Sequence, residues 1–481
     1  MKDFKYIWII GLVATALIVI VPVVLLVQPD TEAADNPWAS VPGNRPETDH
    51  SALLKGPFET GSDVTLACLN CHEEAAAEVM ATNHWTWQAP PVQVDWREEP
   101  VSIGKANAIN NFCIGVQSNW TGCTRCHAGY GWSGPDFIET ATAKDIDCLV
   151  CHDQSGQYVK AASGLPAEGV DLVAAAQSVG LPTRENCGSC HFNGGGGNAV
   201  KHGDLDESLY FPNEELDVHM GRYDFQCTDC HQTTDHAIKG RSISVSVDNA
   251  NQVYCTDCHN EKLHDDDRIN AHTDTVACQT CHIPAGARRE PTKMVWDWST
   301  AGQDLPEDPH TYLKIKGSFI YEGDFVPEYD WYSGTAERYL LGDPINPDGP
   351  TAINDPIGDI NDPNARIWPF KIHRAWQIYD TINNILLVPK TVGEGGYWTE
   401  FDWDLAAQLG AEMTGLDYSG EYGFTSTIMY WPITHMVAPS EQALQCYDCH
   451  SKNSRMDWEA LGYLGDPMRW GGRSAKAVAS K

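Results

Sequence analysis

The sequence predicts a mainly α fold with much irregular structure, and three observations carry that expectation. The stretches HEEAAAEVMA (72–81), VDLVAAAQSV (170–179) and DLAAQLGAEM (404–413) combine good helix formers with apolar positions three to four apart. Elsewhere 41 glycines and 28 prolines punctuate the 481-residue chain as loop. The 17 cysteines, an odd and high count, point to organisation through sulfur rather than through long regular elements. Only RSISVSV (241–247) alternates like a short strand, half of a hairpin.

Sixteen of the 17 cysteines fall into eight copies of Cys-x-x-Cys-His. The copies are Cys68, Cys71, His72; Cys123, Cys126, His127; Cys148, Cys151, His152; and Cys187, Cys190, His191. They continue with Cys227, Cys230, His231; Cys255, Cys258, His259; Cys278, Cys281, His282; and Cys446, Cys449, His450. This is the spacing of c-type haem attachment: two thiols add across the vinyl groups, and the next side chain lands under the iron. Zinc sites or disulfides would not demand a histidine after every pair. Eight covalently attached haems c follow. Motif starts lie 55, 25, 39, 40, 28, 23 and 168 residues apart, so the haems must stack and form much of the core.

Composition bounds the rest. Hydrophobic residues at 42% argue against intrinsic disorder, and a formal charge of −34 argues against nucleic acid as a partner. Residues 1–5 read as a cytoplasmic n-region with Lys2 and Lys5, and 6–27 as 22 uncharged residues long enough to anchor the chain in a membrane. A cleaved signal is the alternative and leaves a soluble periplasmic protein. Either way the body is exported. Residues 28–49 form a Pro-containing linker, and 50–481 one octahaem body. Within it, 283–445 lack a motif, hold eight of the 17 tryptophans and are expected to wrap the haem core.

Eight irons need second ligands, and ten histidines lie outside the motifs. His84, His202, His219, His236, His264, His272 and His435 lie within or just before the motif-rich stretches, with His50 almost as well placed. His310 and His373 fall in the motif-free segment and are weaker candidates. Haems with two histidine ligands only pass electrons, so catalysis needs an iron with a displaceable position. Cys113, the one cysteine outside the motifs, and HFNGGGGNAVKHGDLD (191–206) mark such a place. The four glycines allow backbone to approach a flat porphyrin. Lys201 and His202 follow, their side chains on opposite sides of extended chain and so able to serve two haems. Lys144 and Lys160 are rival lysines. Arg97, Lys105, Arg125, Arg184 and Arg222 are candidates for a basic funnel, and Asp224, Asp229 and His236 for proton donors.

The eight motifs with a wide gap before the last resemble the octahaem tetrathionate reductases. So do GPFETGSDVTLACLNCH (56–72), GGGGNAVKHGDLD (194–206), KMVWDWSTAG (293–302) and THMVAPSEQALQCYDCH (434–450), a resemblance running from about His50 to about Tyr463. It implies a catalytic haem at Cys123, Cys126 and His127, Lys201 as its lysine ligand, and Cys113 as a thiol near the open face. It also implies a reductase taking electrons from the quinone pool or a cytochrome and splitting tetrathionate into two thiosulfates. Nitrite or hydroxylamine reduction, and an electron conduit with no substrate site, are the alternatives. The apparent anchor departs from a fully soluble enzyme.

Overall fold

The computed structural model describes residues 48–112, 115–260, 262–346 and 348–473. The candidate anchor, nearly all of the linker and Cys113 therefore lie outside the described residues. Among the described residues no helix is long and apolar enough to cross a membrane. By contacts the chain divides into a large body, Arg45–Val253 with His264–Lys481, and a small unit combining Met1–Asn44 with Tyr254–Leu263. In the small unit the sixth motif starts on a single 3₁₀ turn, Cys255–Asp257, where the Asp257 carboxylate accepts from the Tyr254 backbone N–H.

In the body the motifs sit on helical turns. Helix α1 (Gly61–Leu69) ends at the first motif, and α4 (Arg184–His191) contains the fourth. Short turns Trp120–Cys123, Leu149–His152, Cys227–Cys230, Cys278–His282 and Cys446–Cys449 carry others. A helical turn sets residues i and i+3 on one face, so both thiols point the same way and the histidine follows on the next step. The expected helices appear as α2 (Ala75–Met80), α3 (Leu172–Gln177) and α5 (Trp403–Thr414).

The expectation of a mainly α chain holds only loosely. Among the described residues a nine-stranded sheet lies wholly within 292–432. Its strands are β1 (Thr292–Asp297), β2 (Tyr312–Leu313), β3 (Gly317–Glu322), β4 (Glu328–Tyr332), β5 (Ala336–Arg338), β6 (Thr351–Pro356), β7 (Arg366–Asp380), β8 (Ile385–Leu386) and β9 (Tyr422–Pro432). The main path runs β2-β3-β1-β7-β9-β6-β5, with β4 and β8 also pairing β7. β7 and β9 pair antiparallel over 11 positions, from Phe370↔Pro432 to Asp380↔Tyr422. β1 runs parallel to β7 in the register Val295↔Arg374. Against this sheet packs the main aromatic core, where Trp296 stacks on Trp298 at 4.4 Å and Tyr397 on Trp403 at 3.7 Å. These large faces bury the apolar area that stabilises the segment.

The strand expected at 241–247 does not form. Serine hydroxyls compete with a ladder there: Ser246 Oγ accepts from the Ser242 N–H, Ser242 Oγ lies 2.8 Å from Ser244 Oγ, and Ser246 N–H closes a turn onto the Ser242 carbonyl. Ile243 is buried and pins the turn to the body.

Helix α5 docks through Trp403, Ala406, Ala407, Gly410 and Ala411, the i, i+3, i+4, i+7, i+8 stripe of an amphipathic helix. Asp402 caps its start by accepting from the Leu405 N–H, and Gly415 ends it at φ 73°. A Cβ on Gly410 would lie 2.0 Å from the Val388 carbonyl oxygen. Gly410→Ala, which in an exposed helix gains about 1 kcal/mol, is therefore expected to destabilise by about 1–3 kcal/mol. Thermal denaturation followed by circular dichroism checks it, and an unchanged or higher melting temperature contradicts this packing.

Candidate functional site

Six motif histidines each face a second histidine across a gap. Ring centroids are 6.5 Å apart for His50 and His72, 6.1 Å for His84 and His191, and 6.4 Å for His152 and His236. The remaining pairs are His231 with His435 at 6.2 Å, His264 with His282 at 6.0 Å and His272 with His450 at 6.3 Å. Such rings are too far apart to touch. Two imidazoles bound to opposite sides of one iron, each nitrogen about 2 Å from it, separate their centroids by about 6 Å. The residues therefore fit haem.

Hydrogen bonds at Nδ1 orient several of these rings and leave Nε2 for the gap. His152, His231 and His272 donate from Nδ1 to the carbonyls of Gly180 (2.9 Å), Lys239 (2.8 Å) and Arg268 (2.6 Å). Three others donate to carboxylates: His236 to Glu78 (2.7 Å), His435 to Asp204 (3.1 Å) and His450 to Asp466 (2.7 Å). None of these acids was singled out in the sequence. A carboxylate 16 or more residues away carries no spacing signal, and only the fold brings it to the ring.

The other candidates have these contacts. His202 packs on Trp431 at 4.9 Å and faces no motif histidine among the described residues. His219 sits in a π-helical turn capped by Asp217, with its ring 5.9 Å from Phe225. His310 is exposed beside Tyr321. His373 is buried in β7 with neither ring nitrogen hydrogen-bonded.

His127 is arranged differently from the motif histidines of the six pairs. Its Nε2 donates to the Trp85 carbonyl at 2.9 Å, while its Nδ1 is buried without a partner. Trp132 (4.2 Å), Trp85 (5.1 Å) and Phe137 (5.8 Å) box in the ring. Burial, with some help from Lys160, lowers its pKa to about 4, so the ring is neutral.

Of the candidate lysines, Lys160 is committed. Its ammonium pairs with buried Asp147 at 2.8 Å and also donates to the carbonyls of Gly129 and His127. Lys144 is exposed. Lys201 has neither an ion pair nor a hydrogen bond at its amine among the described residues. Its Nζ lies 4.6 Å from the Trp431 ring centroid and 5.8 Å from that of Phe112. Burial first, then the charge of Lys105, lowers its pKa to about 7. The free amine, the form that binds a metal, is therefore accessible near neutrality. Gly195 at φ 82° lets Phe112 approach, since a Cβ there would stand 2.6 Å from the Phe112 ring. The glycine run thus admits an aromatic side chain.

The expected basic funnel does not assemble as a group. Arg97 pairs with Asp343, Arg184 with Asp224, and Arg222 with Glu214 at 3.6 Å. Arg125 is exposed, and Lys105 alone of the five is placed to act on Lys201. Asp229 is occupied as a cap on the Gln226 N–H, and Asp224 by Arg184.

The carboxylate behind His450 gives this ring anionic character, which favours oxidised iron. Asp466→Asn keeps an acceptor but removes the charge. The haem of the eighth motif is then expected to rise in reduction potential, by about 60 mV for each tenfold loss of preference for the oxidised state. Spectroelectrochemical titration measures it, and an unchanged set of potentials contradicts the effect.

Residues 213–283 match the family of cytochrome c7 and related cytochrome c, and residues 293–453 match that of bacterial cytochrome c. A protein of Archaeoglobus fulgidus described as uncharacterized is 23% identical over 248 residues, covering 41% of this chain and 82% of its own length. The crystal structure of octaheme cytochrome c from Shewanella oneidensis is 50% identical, covers 88% of this chain and 98% of that chain, and superposes with a TM-score of 0.82. Half of all aligned residues are shared along nearly the full length of a solved octahaem protein, and the present chain supplies its own eight attachment motifs. It belongs to the octahaem cytochromes c, with haem c bound covalently at those motifs.

Proposed function

We propose that this chain is an exported octahaem reductase that delivers electrons along its haem array to a small oxidised substrate at the haem of Cys123 and Cys126. The six histidine pairs are the axial ligands of electron-transfer haems. At the second motif Lys201 would hold the haem in place of His127, leaving room there for substrate. The observation that carries this reading is the turned ring of His127, whose Nε2 is spent on the Trp85 carbonyl, together with a Lys201 amine that has no ion pair or hydrogen bond among the described residues and feels the charge of Cys126 of the same motif.

Tetrathionate is the substrate this reading favours, on the resemblance described above. The bound haem supplies the electrons one at a time. Cys113 directly follows Phe112, which lines the Lys201 side chain. Its thiolate attacks one sulfur of the central S–S bond, forming a mixed disulfide and releasing one thiosulfate. Two electrons then cleave the mixed disulfide, releasing the second thiosulfate and restoring the thiolate. Lys105 offsets part of the charge of the dianion at a site within a strongly acidic protein. Residues 6–27 hold the body at the outer face of the cytoplasmic membrane, where the quinone pool or a cytochrome is the electron donor.

Steady-state assays with reduced viologen against tetrathionate, nitrite and hydroxylamine test the reading. Lys201→Ala is expected to keep eight haems by mass yet lose tetrathionate turnover on the order of a hundredfold, and Cys113→Ser to lose it without altering the haem spectra. Wild-type rates in both variants would refute the site. Faster turnover of nitrite or hydroxylamine than of tetrathionate would reassign the substrate, and no turnover of any acceptor would leave an electron conduit.

A further inference from the structure

The motif-free sheet holds a buried lysine that the proposed reaction does not use. Lys371, on β7, is wholly buried. Its amine meets three oxygens: the carbonyl of Val200 at 2.8 Å, that of Lys201 at 3.2 Å, and Thr292 Oγ1 at 2.6 Å. Thr292, on the neighbouring strand β1, is also buried, and its hydroxyl lies 2.8 Å from the carbonyls of both Ala199 and His202. Ala199 receives a further bond from the Lys293 backbone N–H. Two side chains of adjacent strands thus gather four successive carbonyls, 199 to 202. Ala199 is held at φ 56°, a conformation that alanine seldom adopts unaided. On the sheet Lys371 stands directly opposite Trp431, and the same indole carries Lys201 on its ring.

No carboxylate pairs with Lys371 among the described residues, so its amine is held by main-chain and hydroxyl oxygens alone. Burial pushes this amine well below the ordinary lysine range, and a lysine buried in that way is costly unless its geometry serves something. We propose that Lys371 and Thr292 are positioning residues for Lys201. They form a clamp through which the motif-free sheet fixes the 199–202 backbone and so aims the lysine amine at the second haem. The inference rests on Lys201 being that haem's ligand. It gives the sheet a function beyond wrapping: a rigid part of the fold sets the placement of a ligand on an otherwise irregular loop.

The test uses the full holoprotein and Lys371→Met, Thr292→Val and Thr292→Ser. Near-infrared magnetic circular dichroism and electron paramagnetic resonance separate a lysine-ligated haem from bis-histidine haems, and Lys201→Ala identifies which feature depends on this lysine. Imidazole is then titrated until that one haem takes on a bis-imidazole spectrum. Lys371→Met and Thr292→Val are expected to lower the required imidazole concentration roughly tenfold, the effect of one buried hydrogen bond. Thr292→Ser, which keeps the hydroxyl, stays near wild type, and the bis-histidine signals are unchanged in every variant. Wild-type imidazole concentrations in Lys371→Met and Thr292→Val would overturn the clamp, as would equal loosening of all haems, which is the mark of general unfolding. If Lys371→Met does not accumulate with eight haems, the contrast between Thr292→Val and Thr292→Ser decides alone. If Lys201→Ala leaves every spectrum intact, it is the ligand assignment that fails, an outcome distinct from failure of the clamp.

Discussion

An iron held between two imidazoles requires their rings to stand about 6 Å apart, on opposite sides, with the correct nitrogen inward. The rest of this structure depends on that geometry. The motif half of each pair is local, delivered by one helical turn. The other half comes from wherever the chain returns: His84 serves the fourth motif, His236 the third, His272 the eighth and His435 the fifth. Pairings that cross the sequence in this way leave little room for long helices. They explain why the motif-bearing part is built from short turns and loops.

His127 of the second motif departs from that arrangement. An aromatic box and the Trp85 carbonyl occupy His127, while Lys201 lies with a free amine over Trp431. Both arrangements depend on parts of the chain far from the motif. The indole of Trp431 and the side chains of Lys371 and Lys293 come from the motif-free sheet, and Lys371 and Lys293 are buried. The Lys371 amine binds the backbone carbonyl of Lys201 itself. The carboxylates behind His236, His435 and His450 orient three of the paired rings.

Legibility in the sequence followed the range of each interaction. Helices at 75–80, 172–177 and 403–414 were visible because their apolar stripes repeat within a few residues. The sheet was not. Residues 367–373 of β7 are buried without a break, so the strand lacks the alternation that marks a half-exposed one. The alternation at 241–247 was genuine, but serine hydroxyls turned it into a compact bend. His202 looked like a ligand from its place in the chain, yet its ring rests on an indole contributed from residue 431.

The sequence by itself determined the cofactor, its number and its attachment points, because thioether formation and the first iron ligand need only residues i, i+3 and i+4. It also narrowed the lysine to three. Tertiary structure alone decided which histidine faces which motif, that Lys160 is spent on Asp147, that His127 is turned away, and that Lys371 and Thr292 grip the backbone of Lys201. Those contacts join residues separated by about a dozen to just over two hundred positions, as in the 170 between Lys371 and Lys201. No local pattern encodes such a meeting, since it follows from how β1, β7 and β9 stack and where the loops return.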